Sequence, residues 1–186
     1  MSIEMKERGR EIYLKMAMRR CLFLFVAALM VVSLAACAAE TAPKSGIFPY
    51  AFTARDLYGN EITEQSLGEK EVFFAHLWAT WCPPCLVEMP DIAKIAEEYA
   101  GRVGFIGLLA DYDSNRQGAI RIKESAGVTF VTVDAGTKGL ENVLAMLDTG
   151  YVPTTVILNG DGEMVGEAII GAYGMGYSRF LDSALD

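Results

Sequence analysis

Residues 78–85 read Trp-Ala-Thr-Trp-Cys-Pro-Pro-Cys, and they stand where the sequence pattern changes. Before them, residues 72–78 are mostly apolar and rich in β-branched and aromatic side chains, which is typical of a buried strand. After Cys85, apolar residues recur at helical spacing as far as Ala96, which predicts a helix over 86–99. Cys82 is therefore expected where the strand ends and the helix begins.

The two cysteines of this stretch predict a reversible dithiol–disulfide switch. Because a helix N-terminus has free N–H groups and a partial positive charge, it favours a thiolate at Cys82. We expect Cys82, at the exposed start of the helix, to attack a disulfide and form a mixed disulfide. Cys85 lies one turn further in and would resolve that intermediate from inside. Pro83 and Pro84 stiffen the loop and remove two N–H donors, and the reaction needs no cofactor beyond the cysteine pair.

A zinc site is the main alternative for two cysteines at this spacing. A structural zinc ion takes four Cys or His ligands. Residues 37–186 contain three cysteines and one histidine, which are Cys37, Cys82, Cys85 and His76. Because Cys37 is expected to be modified chemically, too few ligands remain, and we expect no metal.

The first 36 residues are predicted to be a secretion signal rather than part of the fold. An apolar run over 21–33 follows two arginines, and it is shorter than the roughly 20 residues of a membrane span. It ends in Leu-Ala-Ala-Cys at 34–37, which resembles a bacterial lipoprotein signal, in which Cys37 is acylated and becomes the new N-terminus. Ordinary signal cleavage and an uncleaved anchor are the alternatives. The segment before the apolar run is long, so Met16 or Met18 is an alternative start.

Residues 37–186 suit a short tether over 37–46 and one domain over 47–186. The first 36 residues carry six basic and three acidic side chains, so their removal changes the net charge from −8 to −11. Such a surface repels nucleic acid and anionic lipid, so a covalent anchor is the expected membrane tie. No second cysteine pair follows the signal, so the cysteines at 82 and 85 are expected to be functional rather than structural.

Strands and helices alternate along the domain, which predicts an α/β sheet closed by an antiparallel hairpin. Apolar–polar alternation over 52–64 surrounds a turn at 58–61. The remaining elements are expected at 102–110 (strand), 115–126 (helix), 129–133 (strand), 140–147 (helix), 154–158 and 163–170 (hairpin strands) and 177–185 (helix).

This layout resembles the thioredoxin fold and, more narrowly, the TlpA/ResA-like membrane-tethered thiol-disulfide oxidoreductases. The resemblance covers roughly 47–186 and rests on four features of the sequence. They are the motif at 78–85, Glu88 with Pro90, Val152-Pro153-Thr154, and the extra helix and strand at 115–133. It implies a central mixed β-sheet flanked by helices, with a TlpA-type central insertion.

The resemblance also implies a substrate-binding surface beside the cysteines. In thioredoxin-like proteins the proline that matches Pro153 is cis and faces the two sulfurs, although only about 5–6% of X–Pro bonds in folded proteins are cis. We therefore expect a cis Val152–Pro153 bond that offers the Val152 backbone to a substrate strand. Trp81 and Pro83 are expected to contact substrate as well, while Trp78 is expected in the core.

His76 is the only histidine and lies six residues before Cys82, on the strand face of Phe74 and Trp78. In thioredoxins the matching position holds a buried acid, and TlpA/ResA-like proteins commonly have a polar amide there, so this chain departs from both. His76 either exchanges the proton of Cys85, since imidazole titrates near neutral pH, or only packs in the core.

Glu88 lies three residues after Cys85, on the same side of the helix. Related proteins carry a glutamate here, where it would raise the pKa values of the thiols by charge repulsion and relay protons. The alternative is a solvent-facing glutamate that the helix dipole stabilises. We favour the functional interpretation.

The resemblance implies an extracytoplasmic, lipid-anchored thiol-disulfide oxidoreductase that reduces disulfides of exported proteins, such as apocytochrome c. A membrane thiol reductase of the CcdA/DsbD type would supply its electrons. Strongly oxidising relatives place a histidine between the cysteines, whereas this chain has Pro83 and Pro84. We therefore expect a reductant rather than a disulfide-forming oxidase or isomerase.

Two other classes are weaker alternatives. A thiol peroxidase would carry Thr three residues before the attacking cysteine, and this chain has Ala79 there. A non-catalytic binding lipoprotein would not need the intact pair of Cys82 and Cys85. We expect a monomer, because a strongly acidic domain with one tether needs no partner subunit.

Overall fold

The computed structural model describes residues 45–186. The predicted signal over 1–36, the predicted lipidation site Cys37 and most of the predicted tether over 37–46 lie outside the described residues. No helix within the described range is long and apolar enough to cross a membrane.

A mixed sheet of five strands forms the centre of the described domain, and four helices flank it. The elements in chain order are β1 (Thr53–Arg55), β2 (Glu61–Thr63), β3 (Val72–Trp78), α1 (Pro83–Glu98), β4 (Val103–Leu109), α2 (Tyr112–Ala126), β5 (Val131–Asp134), α3 (Glu141–Leu147), β6 (Thr154–Asn159), β7 (Ile169–Ile170) and α4 (Ser178–Leu185). The strand order is β5-β4-β3-β6-β7, and β1 and β2 form a separate antiparallel pair. Strand β3 runs parallel to β4 and antiparallel to β6. The predicted thioredoxin-like α/β fold is confirmed.

Strand β3 is buried along its whole length because both faces of the sheet are covered. Phe74, His76 and Trp78 point to one face, where α1 and α4 supply the apolar cover. Phe73 and Leu77 point to the other, under α3 and the N-terminal residues of the described range. The strand therefore places a histidine inside the core and delivers the motif at 78–85 to the carboxyl end of the sheet.

Helix α1 starts at Pro83, three residues earlier than predicted. Proline is well tolerated in a first helical turn, because its missing N–H would have no partner there and its φ already suits a helix. Cys82 is consequently the N-cap residue. The predicted junction of strand, cysteine and helix is confirmed, and Cys85 lies inside the first turn.

The hairpin that closes the sheet is shorter than predicted. The turn after β6 is present, since Asn159 N–H donates to Glu163 O at 2.9 Å. The second strand expected over 163–170 is wrong except for β7, and Met164 makes only an isolated bridge to Leu158. The chain bends at Gly166, whose φ of +77° is left-handed and incompatible with a strand.

Smaller corrections concern element ends. Helix α2 begins three residues before the predicted 115, but Asn115 has non-helical angles (φ −144°, ψ 29°). Strand β5 is shifted by one or two residues towards the C-terminus, and a short 3-10 turn, Gly174–Tyr177, precedes α4. The predicted helix and strand of the central insertion are both present, and β5 forms one edge of the sheet.

Candidate active site

Cys82 and Cys85 form a disulfide at the N-terminus of α1, with their Cα atoms 5.3 Å apart. The Cys85 N–H donates to Cys82 Sγ at 3.3 Å, so the first turn of the helix points a backbone donor at this sulfur. A donor in that position stabilises a thiolate once the disulfide is reduced.

The predicted exposure of Cys82 is wrong in this disulfide state. Cys82 is 2% exposed and Cys85 is fully buried. The Val152 carbonyl oxygen lies 3.5 Å from Cys82 Sγ, so the segment before β6 covers the sulfur. This segment therefore leaves little of Cys82 accessible to another molecule in the disulfide state.

The Val152–Pro153 peptide bond is cis, as the resemblance implied. Pro153 is buried and Val152 is half-buried. The Pro153 carbonyl accepts a hydrogen bond from Gly171 N–H at 2.8 Å, which ties this loop to the end of β7. Of these two residues, Val152 is the more accessible, and the substrate-binding role expected of both stays a prediction.

An apolar rim surrounds the disulfide on the surface. Trp81 is 66% exposed and Pro83 is exposed, whereas Trp78 is fully buried, as predicted. Tyr151, which sequence reasoning missed, is 68% exposed and directly precedes Val152. Its position beside the cis bond was the signal that could have found it. Large apolar side chains this exposed next to a reactive pair are typical of a binding surface.

Asp111, two residues after β4, holds the loop that carries Trp81. Its Oδ1 accepts from Thr80 N–H at 3.0 Å, and its Oδ2 accepts from the Thr80 hydroxyl. Sequence reasoning missed this residue, because 31 positions separate it from Thr80. The contact joins the start of the central insertion to the loop before the cysteines.

Replacing Asp111 with alanine is expected to lower the free energy of unfolding by about 1–3 kcal/mol, because it leaves the Thr80 N–H without its acceptor. Denaturant unfolding of the oxidised protein measures this loss. Ser114→Ala is the matched control, because Ser114 donates only to the Asp111 backbone carbonyl, at 3.2 Å, from an exposed position. Equal losses in the two variants would contradict a loop-holding role for the Asp111 carboxylate.

His76 of β3 and Glu88 of α1 meet in the core of the domain. His76 is fully buried and Glu88 is 2% exposed, so the alternative of a solvent-facing Glu88 is wrong. His76 Nε2 lies 3.6 Å from Glu88 Oε1, and within residues 45–186 neither atom has a hydrogen-bond partner. His76 Nδ1 lies 2.8 Å from the Thr155 hydroxyl oxygen.

The burial of Glu88 comes from the turn Gly174–Tyr177, which packs against α1. Three donors converge on Glu88 Oε2: the Tyr173 N–H at 3.0 Å, the Tyr177 hydroxyl at 3.1 Å and the Gly174 N–H at 3.5 Å. Sequence reasoning missed Thr155 and Tyr177. No local signal could reveal the second, because 89 positions separate Tyr177 from Glu88.

Burial raises the pKa of Glu88 from 4.5 to about 7, and the three donors on Oε2 oppose that rise. Burial lowers the pKa of His76 from 6.5 to about 3. The imidazole is consequently neutral near pH 7, so the close approach of His76 and Glu88 is not an ion pair. The carboxyl group can take up or release a proton in the range where thiols react.

Residues 45–186 contain no group of three or more His, Cys, Asp or Glu side chains that could hold a metal ion. The site consists of the disulfide, the Val152 backbone that covers it, the exposed apolar side chains beside it, and the buried pair of His76 and Glu88. This arrangement can exchange a disulfide with another molecule.

Comparisons with known proteins agree with this geometry. Residues 40–168 match the family model described as Redoxin. The thiol-disulfide oxidoreductase ResA of Bacillus cereus is 31% identical over 121 residues, which cover 64% of this chain and 66% of ResA. The aligned part thus spans slightly less than two thirds of that relative.

A second relative aligns over a longer stretch. The sporulation thiol-disulfide oxidoreductase A of Bacillus subtilis (strain 168) is 24% identical over 151 residues, covering 80% of this chain and 88% of that protein. Among solved structures, a thiol:disulfide interchange protein of the thioredoxin family from Chlorobium tepidum TLS has a TM-score of 0.59 at 22% identity. That alignment covers 77% of this chain and 98% of that one, and it shows a shared fold.

Proposed function

Since this chain belongs to the Redoxin family, within the thioredoxin superfamily, we propose that it is a thiol-disulfide oxidoreductase that works through Cys82 and Cys85. One observation carries the proposal. The disulfide lies at a helix N-terminus, with the Val152 carbonyl 3.5 Å from Cys82 Sγ and the exposed Trp81 beside it. The names of the relatives from Bacillus support the same reaction class.

The reaction starts from the reduced pair. The Cys82 thiolate attacks one sulfur of a client disulfide, which forms the mixed disulfide and expels the other client sulfur as a thiolate. The Cys85 thiolate then attacks Cys82 Sγ, which restores the Cys82–Cys85 bond and expels the second client thiolate. Two electrons pass from the cysteine pair to the client, and the expelled thiolates take up protons.

The proton of Cys85 needs an acceptor before its thiolate can attack, because Cys85 is fully buried. Glu88 lies one helical turn after Cys85 and is buried with it. A carboxylate with a pKa of about 7 can accept such a proton and return it later. His76 faces Glu88 as a neutral imidazole and does not itself take up that proton near pH 7.

Client binding uses the surface above the disulfide. Trp81, Tyr151 and Pro83 provide exposed apolar contact, and the Val152 backbone provides strand-type pairing. Backbone pairing and apolar contacts depend little on which side chains a client carries. The enzyme therefore selects clients mainly by how accessible their disulfide is.

We further propose that the protein acts as a reductant on the outer side of the cytoplasmic membrane. The lipoprotein-like string ending at Cys37 supports a lipid anchor, and the two prolines between the cysteines support the reducing direction. A membrane reductase of the CcdA/DsbD type then supplies electrons. The clients are exported proteins such as apocytochrome c, and the enzyme works as a monomer.

The reduction potential of the Cys82–Cys85 pair tests the direction. The full chain in detergent is equilibrated with glutathione or dithiothreitol buffers, and alkylation followed by mass spectrometry reads the state of both cysteines. A potential at or below about −220 mV is expected for a reductant, whereas a value near about −120 mV would make the protein an oxidase or isomerase. A variant with both Cys21→Ser and Cys37→Ser controls for exchange with the other two cysteines of the chain.

A further inference from the structure

Three hydrogen bonds and one longer contact link four buried side chains into a ring on the sheet face that α1 covers. His76 Nδ1 is 2.8 Å from the Thr155 hydroxyl, which is 3.3 Å from the Tyr177 hydroxyl. The Tyr177 hydroxyl is 3.1 Å from Glu88 Oε2, and Glu88 Oε1 returns to His76 Nε2 at 3.6 Å. All four residues are at most 2% exposed. In such a ring, each hydroxyl or N–H proton can point in only one direction at a time.

The ring has one arrangement when Glu88 is protonated. The acid proton on Glu88 Oε1 faces His76 Nε2 across the 3.6 Å contact and disfavours a second proton there, so the imidazole carries its own proton on Nδ1. That Nδ1–H donates to the Thr155 hydroxyl oxygen, and the Thr155 hydroxyl donates to the Tyr177 oxygen. The Tyr177 hydroxyl then donates to Glu88 Oε2, so three sides of the ring are hydrogen bonds and the fourth is the longer contact between Glu88 Oε1 and His76 Nε2.

The ring has a different arrangement when Glu88 is ionised. A carboxylate carries no proton, so its negative charge, 3.6 Å away, draws the imidazole proton to His76 Nε2, which faces Glu88 Oε1. His76 Nδ1 becomes an acceptor, and the Thr155 hydroxyl turns to donate to it. The Tyr177 hydroxyl still donates to Glu88 Oε2. The loss of one proton from the ring therefore moves the imidazole proton from Nδ1 to Nε2.

We propose that Thr155 is a positioning residue that couples the proton on Glu88 to the tautomer of His76. Its single hydroxyl proton can point to His76 Nδ1 or to the Tyr177 oxygen, so Thr155 hydrogen-bonds His76 Nδ1 in both arrangements. The ring thus stores or releases one proton with no charge placed on His76. Its use during disulfide exchange rests on the proposed function, whereas the coupling itself does not.

Other charged and titratable groups face Glu88 from the elements packed around it. Asp91, on the same helix, opposes ionisation of Glu88 by charge repulsion. From the turn before α4, Tyr177 keeps its proton, because burial and the nearby carboxylate raise its pKa. Strand β3 contributes the neutral His76. Ionisation near neutral pH is therefore confined to the Glu88 carboxyl group.

The single histidine of the chain makes this coupling directly measurable. A long-range proton–nitrogen NMR spectrum of the full chain with ring-labelled histidine shows one imidazole and identifies its tautomer without assignment. Between pH 5 and 9 we expect the protonated nitrogen to change from Nδ1 to Nε2, with a midpoint near the Glu88 pKa of about 7. A single tautomer over that whole range would overturn the proposal.

Glu88→Gln is expected to fix the imidazole as the Nδ1–H tautomer at every pH. Three donors converge on the position of Oε2, so the amide oxygen of glutamine belongs there and its NH₂ group faces His76 Nε2. Glutamine thus imitates the protonated carboxyl group. A pH-dependent tautomer in this variant would contradict the coupling to Glu88.

Thr155→Val is expected to act in the opposite direction. It leaves His76 Nδ1–H without an acceptor, which favours the Nε2–H tautomer and lowers the pH midpoint by about one unit. Thr154→Val is the matched control, since Thr154 is an adjacent buried threonine whose hydroxyl donates to Tyr151 O, at 2.8 Å, outside the ring. Equal midpoints in the two variants would refute a role for Thr155, and insulin reduction assayed separately would still report on the proposed function.

Discussion

Replacing Cys82 with serine is expected to abolish disulfide exchange. A serine hydroxyl does not ionise near neutral pH and cannot form a mixed disulfide, so the first bond of the reaction is never made. We expect a loss of at least about 10³-fold, since removal of a nucleophile elsewhere costs as much as about 10⁶-fold. Reduction of insulin disulfides with dithiothreitol as the electron source measures it.

Cys85→Ser is the informative partner of that variant. It keeps the attacking sulfur at Cys82, so it should form a mixed disulfide and then stop, because nothing remains to resolve it. A covalent adduct that appears with Cys85→Ser but not with Cys82→Ser is the expected result. Exchange that survives in Cys82→Ser, or adducts formed through Cys85, would show that the attack had been assigned to the wrong cysteine.

The same two variants separate an enzyme from a binding lipoprotein. A docking domain would keep its biological activity in Cys82→Ser, since the surface of Trp81 and Tyr151 would remain. Cys82 is only 2% exposed in the disulfide state, and its sulfur lies 3.5 Å from the Val152 carbonyl oxygen. A partner that docks without reacting can therefore contact little of Cys82, so Cys82→Ser should not weaken such docking.

Local sequence pattern predicted the parts of the fold that local physics decides. The run at 72–78 became the buried strand β3, because a strand covered on both faces must be apolar throughout. The prolines after Cys82 were interpreted as loop stiffeners but start the helix instead. That position is also consistent with local rules, because proline suits a first helical turn.

Contacts between distant parts of the chain escaped prediction. Glu88 was expected beside the cysteines, but its burial depends on Tyr177, 89 positions away. Asp111 reaches Thr80 across 31 positions, and Thr155 meets His76 across 79. Such contacts depend on strand order and on how the turn Gly174–Tyr177 packs on α1. The pattern of apolar residues along the sequence does not predict them. The cis bond at Pro153 was expected only through the family resemblance.

His76 and Glu88 should have opposite effects on how the free energy of unfolding changes with pH. The raised pKa of Glu88, about 7 against 4.5, stabilises the folded state at low pH, and this contribution is lost as pH rises from 4.5 to 7. The lowered pKa of His76, about 3 against 6.5, stabilises it above pH 6.5, and that contribution is lost as pH falls towards 3. Between pH 4.5 and 6.5 the two trends cancel.

Proton counting gives the reason for that cancellation. In this pH range the folded protein holds one proton on the pair, on Glu88, and the unfolded chain also holds one, on His76. Since stability changes with pH only when the two states bind different numbers of protons, the pair contributes no slope. Denaturant unfolding of the wild type should therefore show little pH dependence from these two residues.

Replacing either His76 or Glu88 should reveal the pH dependence that the other residue gives to the free energy of unfolding, and the two slopes should have opposite signs. Glu88→Gln leaves only His76, so its free energy of unfolding should fall by about 2–3 kcal/mol relative to wild type between pH 7 and 4.5. His76→Asn leaves only Glu88, so its free energy of unfolding should rise by about 2–3 kcal/mol relative to wild type over the same change. Glu97→Gln, which removes an exposed carboxylate from the same helix, controls for the loss of a charge. If the free energy of unfolding of Glu88→Gln and of wild type changed with pH in parallel, Glu88 would have the same pKa in the folded and unfolded states. Glu88 would then not hold a proton near pH 7 in the folded protein.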